Sequence, residues 1–288
     1  MKNNMKIGFV GQGYIGKNYA DDFEQRCFET VRYALEEPYI ANKDRIMECD
    51  VVFIAVPTPT SPDGFDYSIV EQNLSLVNDG AIVIIKSTIL PGTTTRLQQA
   101  HPNITLLCSP EFLSEKTAAY DATHPSMNII GVSVDDEAHR SAAEKVLEIL
   151  PHAPHSQICT STEAEFIKYS HNLNGYFQII LSNLLYDAAQ VAGARWEPIQ
   201  DAIEHDPLIS GRYAKPVHQS GHPGAVHGRG AGGHCFIKDM AAFRSFYEKN
   251  VQDDKGLSVF RALEQKNIQL LTATNKDTNL LKDVYGMV

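Results

Sequence analysis

The stretch GRGAGGHCFIKD, residues 228–239, places Gly228, Gly230, Gly232 and Gly233 within six positions and then sets Cys235, Lys238 and Asp239 behind them. A thiolate is an intrinsically strong nucleophile, and backbone without side chains lets a substrate approach one closely. A free thiol, with a pKa of about 8.5, needs a cation or a helix terminus to become reactive. His234, Lys168 and Lys238 are the candidate sources of such a setting. The competing interpretation is a surface turn followed by a small buried hydrophobe, the usual fate of a free cysteine. A second constellation lies near the amino terminus. GFVGQGYIG supplies Gly11, Gly13 and Gly16 in G-x-G-x-x-G spacing, with Tyr14 and Ile15 opening a helical pattern. Such glycines allow a tight turn and let a pyrophosphate reach the free N–H groups of a helix start. Glu36, twenty positions after Gly16, is the candidate acid for ribose hydroxyls. If the strand TVRYAL ends near Tyr33, Ala34 takes that place instead. NAD is the expected cofactor, and Arg32 is the residue that would favour NADP.

These residues need particular elements to hold them. KIGFVG, TVRYAL, DVVFIAVP, GAIVIIKST, NITLLCSP and NIIGVSV are apolar strand patterns separated by helix-length segments. That alternation predicts a parallel sheet covered on both faces. PTPTSPDG then falls at a strand's C-terminal end, where such sheets contact ligands. From Ser161 the texture changes. STEAEFIKYSHNLNGYFQIILSNLLYDAAQVAG has no proline and carries apolar residues at helical spacing, with a capped start and Gly193 as a stop. Helical patterns return in EPIQDAIEH, DMAAFRSFYEKN and LSVFRALEQKNIQLLTAT. The expected fold is α/β: an N-terminal Rossmann-like, doubly wound parallel sheet over residues 1–158, then an all-α domain over 159–288 with a long central helix.

Bulk properties narrow the partners. Net charge is −10, which disfavours non-specific binding to nucleic acid. An anionic substrate then needs a local basic patch, for which Arg212, Lys215, Arg229 and Lys238 are candidates. Five scattered cysteines argue against a disulfide framework and for a reducing, cytoplasmic setting. No apolar run suits a signal peptide or a membrane span. The spacings of His218, His222, His227 and His234 match no zinc motif, so no metal is expected.

Six ordered motifs resemble those of the UDP-glucose/GDP-mannose dehydrogenase family. GFVGQGYIG is similar to its cofactor loop and AVPTPTSPDGFD to its second nucleotide-side loop. STILPGTT resembles S-T-x-x-P-G-T-T, SPEFLSE resembles N-P-E-F-L-x-E, and AEFIKYSHN resembles A-E-x-x-K-Y-x-x-N. GRGAGGHCFIKD resembles G-x-G-x-G-G-x-C-x-x-K-D. The resemblance implies oxidation of the C6 alcohol of a nucleotide sugar to a carboxylate with two NAD, in a homodimer paired through the long helix. It implies Gly11, Gly13, Tyr14, Ile15, Gly16, Glu36, Val56, Pro57, Thr58, Thr88 and Lys238 as cofactor-side residues. Phe112, Leu113, Arg212, Gly230, Gly232 and Gly233 would meet the substrate.

The implied chemistry is coherent. Lys168 and Asn172, at i and i+4 on one helix face, would stabilise a developing oxyanion. Cys235 would attack the aldehyde and carry a thioester. Glu111 and Glu115, also at i and i+4, would serve hydrolysis, with Thr88 ordering the water and Asp239 orienting Lys168 or its water. The sequence departs from the family at Ser109, Met127, Asn183–Leu184 and CFIKD, and the family's third, nucleotide-binding domain is expected to be absent. A dehydrogenase of a smaller alcohol, and a non-catalytic NAD-binding partner of a full-length enzyme, are the other functional alternatives.

Overall fold

The computed structural model describes residues 5–286. The chain divides into two compact units, one containing residues up to Thr58 together with Asp66–Lys168, the other containing Pro59–Phe65 together with the residues from Tyr169 on.

The first unit is built from β1 (Lys6–Val10), α1 (Tyr14–Gln25), β2 (Glu29–Tyr33) and β3 (Val51–Ile54). Two short strands of the other unit, β4 (Thr60–Ser61) and β5 (Gly64–Phe65), come next in the chain. The first unit then resumes with α2 (Ser68–Leu74), β6 (Ile82–Ile85), α3 (Thr93–Ala100) and β7 (Thr105–Cys108). It finishes with α4 (Ala118–Thr123), β8 (Met127–Val132), α5 (Glu137–Ile149) and β9 (His155–Thr160). Among the described residues, seven strands form one sheet in the order β2-β1-β3-β6-β7-β8-β9. The inner runs VVFI and IVII are almost wholly buried, as strands covered on both faces must be. Phe9 stacks on Phe53 with ring centroids 5.1 Å apart, and Phe23 of α1 meets Phe9 edge-on at 5.3 Å.

Two features depart from the pattern read in the sequence. β7 and β8 pair antiparallel, with Leu107 opposite Val132. The 109–126 connection stays at the end of the sheet where β7 finishes, so β8 starts there and runs back. The segment SPEFLSE therefore lies at the C-terminal ends of the parallel strands. β9 had no counterpart among the expected strands: it is an edge strand whose His155, Ser156 and Gln157 are exposed, so it lacks an apolar run.

The long helix α6 (Ser161–Val191) begins in the first unit and continues into the second. Its start is a capping box: the Thr160 hydroxyl accepts the Glu163 N–H at 3.3 Å, and the Glu163 carboxylate accepts the Thr160 N–H at 2.8 Å. Gly193 follows its end with φ +72°. A side chain at Gly131 of β8 would lie 2.6 Å from Ser161 Cα, so the absence of one lets the start of α6 approach the sheet.

The second unit adds α7 (Trp196–His205), the hairpin of β10 (Val217–Gln219) and β11 (His227–Arg229), α8 (His234–Asn250), α9 (Asp254–Ala273) and α10 (Thr278–Tyr285). Ile237, Ala241, Leu271, Leu281 and Val284 form a core cluster here. The β4–β5 hairpin is tied in by the Thr60 hydroxyl, which donates to the Lys238 carbonyl at 3.1 Å. α8 starts at His234, earlier than the DMAAFRSFYEKN pattern suggested, so Cys235 sits in a helix's first turn.

Candidate active site

The amino-terminal glycines play three different roles. Gly11 has φ +90°, and a Cβ there would lie 2.4 Å from the Ala55 carbonyl oxygen. A Cβ at Gly16 would collide with the Gly11 carbonyl, so this glycine lets α1 pack onto its own loop. A Cβ at Gly13 would meet nothing within 4 Å. Gly13 is also the N-cap of α1 and provides no side-chain cap, which leaves the first-turn amides to an incoming acceptor. Tyr14 and Ile15, half-buried, open that helix. This open cradle over uncapped amides fits a dinucleotide's pyrophosphate. Gly13→Ser is expected to cap α1 with its own hydroxyl, keeping or raising the melting temperature while weakening NAD binding about tenfold or more. Gly11→Ala is expected instead to cost about 1–3 kcal/mol of stability. Thermal melts alongside NAD titration separate the two effects.

β2 ends at Tyr33, so Ala34 directly follows the strand and Glu36 lies beyond it, exposed, its carbonyl accepting the Tyr39 N–H. The Arg32 guanidinium is engaged by Asp21 at 2.7 Å and Glu24 at 2.6 Å. Neighbouring strand ends are laced together. Ser87 donates to the Val56 carbonyl and Thr58 to the Thr88 carbonyl, both at 2.7 Å, while Pro57 is exposed and Thr88 half-buried.

Glu111 and Lys168 form the most deeply buried charged pair of this unit, with side chains 2% and 5% exposed. Lys168 Nζ donates to Glu111 Oε1 at 3.0 Å and to the Glu111 carbonyl at 2.6 Å. Glu111 Oε2 accepts the Leu113 N–H at 2.7 Å, and the Phe112 ring lies 5.5 Å from the ammonium. Residues 109–114 are extended loop and Glu115 stands in a turn, half-buried. The i, i+4 spacing of the two glutamates therefore does not mark a helix face, in contrast to Lys168 and Asn172, which lie one turn apart on α6.

Two residues of this unit escaped the sequence reading. Glu165 is buried, and its carboxylate accepts the N–H groups of Gly92 and Thr94 and the Thr94 hydroxyl. It thus caps α3 and joins the STILPGTT and AEFIKYSHN motifs; burial raises its pKa despite those hydrogen bonds. Lys86 closes the apolar run IVIIK and is 3% exposed, with its ammonium 3.0 Å from Ser109 Oγ and 4.3 Å from the Tyr19 ring centroid. A lone charge ending a buried strand was the visible signal.

Burial pushes the Lys86 ammonium down to about 8. Between that value and 10.5 the unfolded chain binds more protons than the folded one, so stability rises with pH across this window. The span corresponds to about 3 kcal/mol. Lys86→Met is expected to flatten this rise and to increase stability at pH 7, as read by urea unfolding at pH 7 and pH 10.

In the second unit Asn172 Nδ2 donates to Asp239 Oδ2 at 2.6 Å, and both residues are buried. Asp239 thus takes Asn172 as its partner, where the motif alone points to Lys168 or a water. Its other oxygen accepts the Lys238 ammonium. Cys235 is half-buried at the second position of α8, after Gly233 as N-cap with φ +86°. Arg212 is exposed on a short 3-10 turn, Gly211–Tyr213. The other candidate cations are engaged: Arg229 by Asp187 at 2.7 Å and Asn183 at 2.8 Å, and Lys215 by Glu204 at 3.7 Å.

The preceding glycines are crowded by the chain itself. A Cβ at Gly228 would lie 2.6 Å from Thr274 Oγ1, at Gly230 2.8 Å from Asn267 Oδ1, and at Gly232 2.1 Å from Asp277 Oδ2. Gly228, Gly230 and Gly232 thus make room for the α9–α10 corner, whereas a Cβ at Gly233 would meet only Ser220 Cβ, at 3.9 Å. Among the described residues no group of three or more His, Cys, Asp or Glu side chains could hold a metal ion, and no helix is long and apolar enough to cross a membrane.

Two models of one family match this chain. Residues 29–150 match the NAD binding domain of the UDP-glucose/GDP-mannose dehydrogenase family, and residues 162–268 match its central domain. The chain belongs to the UDP-glucose/GDP-mannose dehydrogenase family. NAD is the cofactor of its N-terminal domain.

Within this dehydrogenase family the chain is similar to the UDP-glucose 6-dehydrogenase of Haloferax volcanii, with 26% identity over 83% of this chain and 64% of the relative. It is 32% identical to a putative UDP-glucose 6-dehydrogenase of Bacillus subtilis over 73% of this chain and 49% of the relative. The solved UDP-glucose dehydrogenase of Pyrobaculum islandicum shares the fold at a TM-score of 0.77 and 24% identity, over 93% of this chain and 68% of that one. The chain therefore spans about half to two thirds of the length of the curated relatives named here.

Proposed function

We propose that this chain oxidises the C6 alcohol of a nucleotide-linked hexose, of the UDP-glucose type, to the carboxylate through a covalent intermediate on Cys235. The observation that carries the reading is Cys235 in the first turn of α8, behind a glycine N-cap, in the same unit as the buried Asn172–Asp239 pair. A helix's first turn favours thiolate over thiol, and the glycine N-cap places no side chain over it.

The residues divide the work by chemistry. When bound, NAD would supply the hydride acceptor, one molecule for the alcohol and a second for the thiohemiacetal. Lys168 and Asn172 donate to the C6 oxygen as its charge develops, the hydroxyl proton passing to water. Glu111 keeps the Lys168 ammonium oriented, and Asp239 aims the Asn172 amide by accepting its other proton. The Cys235 thiolate adds to the aldehyde carbon, and the resulting thioester is cleaved by water. Glu111 and Glu115 are the carboxylates available to take that water's proton, with the Thr88 hydroxyl ordering it.

The test is stoichiometry: two NADH formed per UDP-glucose consumed, with UDP-glucuronate as the product. Turnover of a small alcohol but of no nucleotide sugar would replace this reading with the smaller-substrate one. NAD binding without any turnover would favour a non-catalytic partner. We further propose a cytoplasmic homodimer paired along α6, whose Leu181, Leu184 and Leu185 are exposed. A monomer in sedimentation equilibrium would remove the dimer.

A further inference from the structure

The segment that crowds the glycine run also holds it by hydrogen bonds, nearly residue by residue. Thr274 Oγ1 accepts the Arg229 N–H at 3.0 Å, and Asn267 bonds both the N–H and the C=O of Ala231, at 2.7 and 2.9 Å. Lys276 Nζ donates to the Gly230 carbonyl and to His218 Nε2, both at 3.0 Å. Asp277 closes the series. Its carboxylate accepts the N–H of Gly233 at 2.7 Å, the Ser220 hydroxyl at 2.6 Å and the His222 Nε2–H at 2.9 Å.

Asp277 makes these contacts in place of others it is suited to make. It stands at the N-cap of α10, where an aspartate normally binds the first-turn amides of its own helix, yet its side chain does not cap α10. Its backbone is left-handed, with φ +51°, a region that side chains rarely adopt and that aspartate tolerates better than most. A foregone cap together with a strained backbone persists only when other interactions over-determine it, and such sites are often functional. Here those interactions run to Ser220, to His222 and to Gly233, the last being the N-cap of α8 and the second residue before Cys235. Lys276 is wholly buried, and burial pushes its ammonium down to about 8, a further cost accepted at the same corner. Thr274, Lys276 and Asp277 lie beyond residue 268, where the match to the family's central domain stops.

We propose that Asp277 is a positioning residue that fixes the α8 amino terminus, and with it the Cys235 thiol, through the Gly233 N–H. The proposal rests on reading Cys235 as the nucleophile. Its test therefore reads the thiol directly, without turnover. Iodoacetamide alkylation of Cys235, resolved from the other cysteines by peptide mass spectrometry, is followed against pH in the full chain. In Asp277→Ala the Gly233 N–H loses its acceptor, and the start of α8 that carries the thiol loses its anchor. The alkylation midpoint is expected to rise by about one pH unit and the rate at pH 7 to fall about tenfold. Asp277→Asn keeps an acceptor for Gly233 and is expected to stay within about twofold of the native profile. Gly232→Ala, whose Cβ would lie 2.1 Å from Asp277 Oδ2 and so displace the carboxylate, is expected to behave like Asp277→Ala and covers the case in which that variant does not fold. Native alkylation profiles in folded Asp277→Ala or Gly232→Ala overturn the proposal. An equal shift in Asp277→Ala and Asp277→Asn overturns it too, because charge rather than position would then be responsible. Should the native chain turn over no nucleotide sugar, the alkylation result still stands by itself, so the two readings fail separately.

Discussion

Cys235→Ala is expected to reduce carboxylate production by about 10⁴-fold or more, the scale of losing a covalent nucleophile. The loss falls on the second oxidation, since removal of the first hydride needs no thiol. The variant should form about one NADH per substrate and release or retain an aldehyde, which a carbonyl-trapping hydrazine would capture. Cys235→Ser separates nucleophilicity from size: it preserves the first-turn geometry but carries a far weaker nucleophile at neutral pH, so it should resemble the alanine variant. NAD affinity should be native in both, because the glycine cradle belongs to α1 in the first unit. Full carboxylate production by either variant would end the thioester reading.

The second large effect is expected at the Glu111–Lys168 pair. Lys168→Met removes a donor to the developing oxyanion, which is expected to lower kcat by about 10²–10³-fold. It also strands Glu111, whose side chain is 2% exposed, beside an apolar group. Breaking a buried pair from one side costs about 3–5 kcal/mol, because the remaining charge has no counter-charge and here keeps only the Leu113 N–H. Adding Glu111→Gln removes that charge, so the double variant should regain most of the stability and none of the activity. Chemical denaturation and steady-state kinetics on the four proteins of the cycle give both readouts. Equal stability of Lys168→Met and the native chain would mean that Glu111 is not held by Lys168.

The parts legible in the sequence are those whose reason is local. G-x-G-x-x-G before a helical pattern announces a phosphate cradle, because a turn, a close backbone approach and a helix start lie within nine residues. The buried strands VVFI and IVII show as apolar runs, and the 31-residue α6 shows as unbroken helical spacing with a stop at Gly193. The family's motifs are legible for the same reason, since each is one loop or one helix face.

What escaped depended on partners distant in the chain. β9 is missing from the sequence pattern because an exposed edge strand has no need of an apolar run. Glu111 and Glu115 share the i, i+4 spacing of Lys168 and Asn172, but the connection from β7 to β8 is a loop in which that spacing places nothing on one face. Asp239 could be assigned an orienting role from its motif, but not the residue it orients. Glu165 capping α3 across 71 positions, and Asp277 holding Gly233 across 44, leave no periodic trace.

The sequence by itself determined which groups the chain carries: a dinucleotide cradle, a lysine–asparagine helix face, a pair of glutamates and one cysteine behind glycines. Only the tertiary structure decided what each group is tied to, because hydrogen bonds and burial join residues by proximity rather than by order. The glycines before Cys235 illustrate the division. Their permissiveness is written in their identity, but what they make room for, the corner carrying Asn267, Lys276 and Asp277, exists only once the chain has folded back upon them.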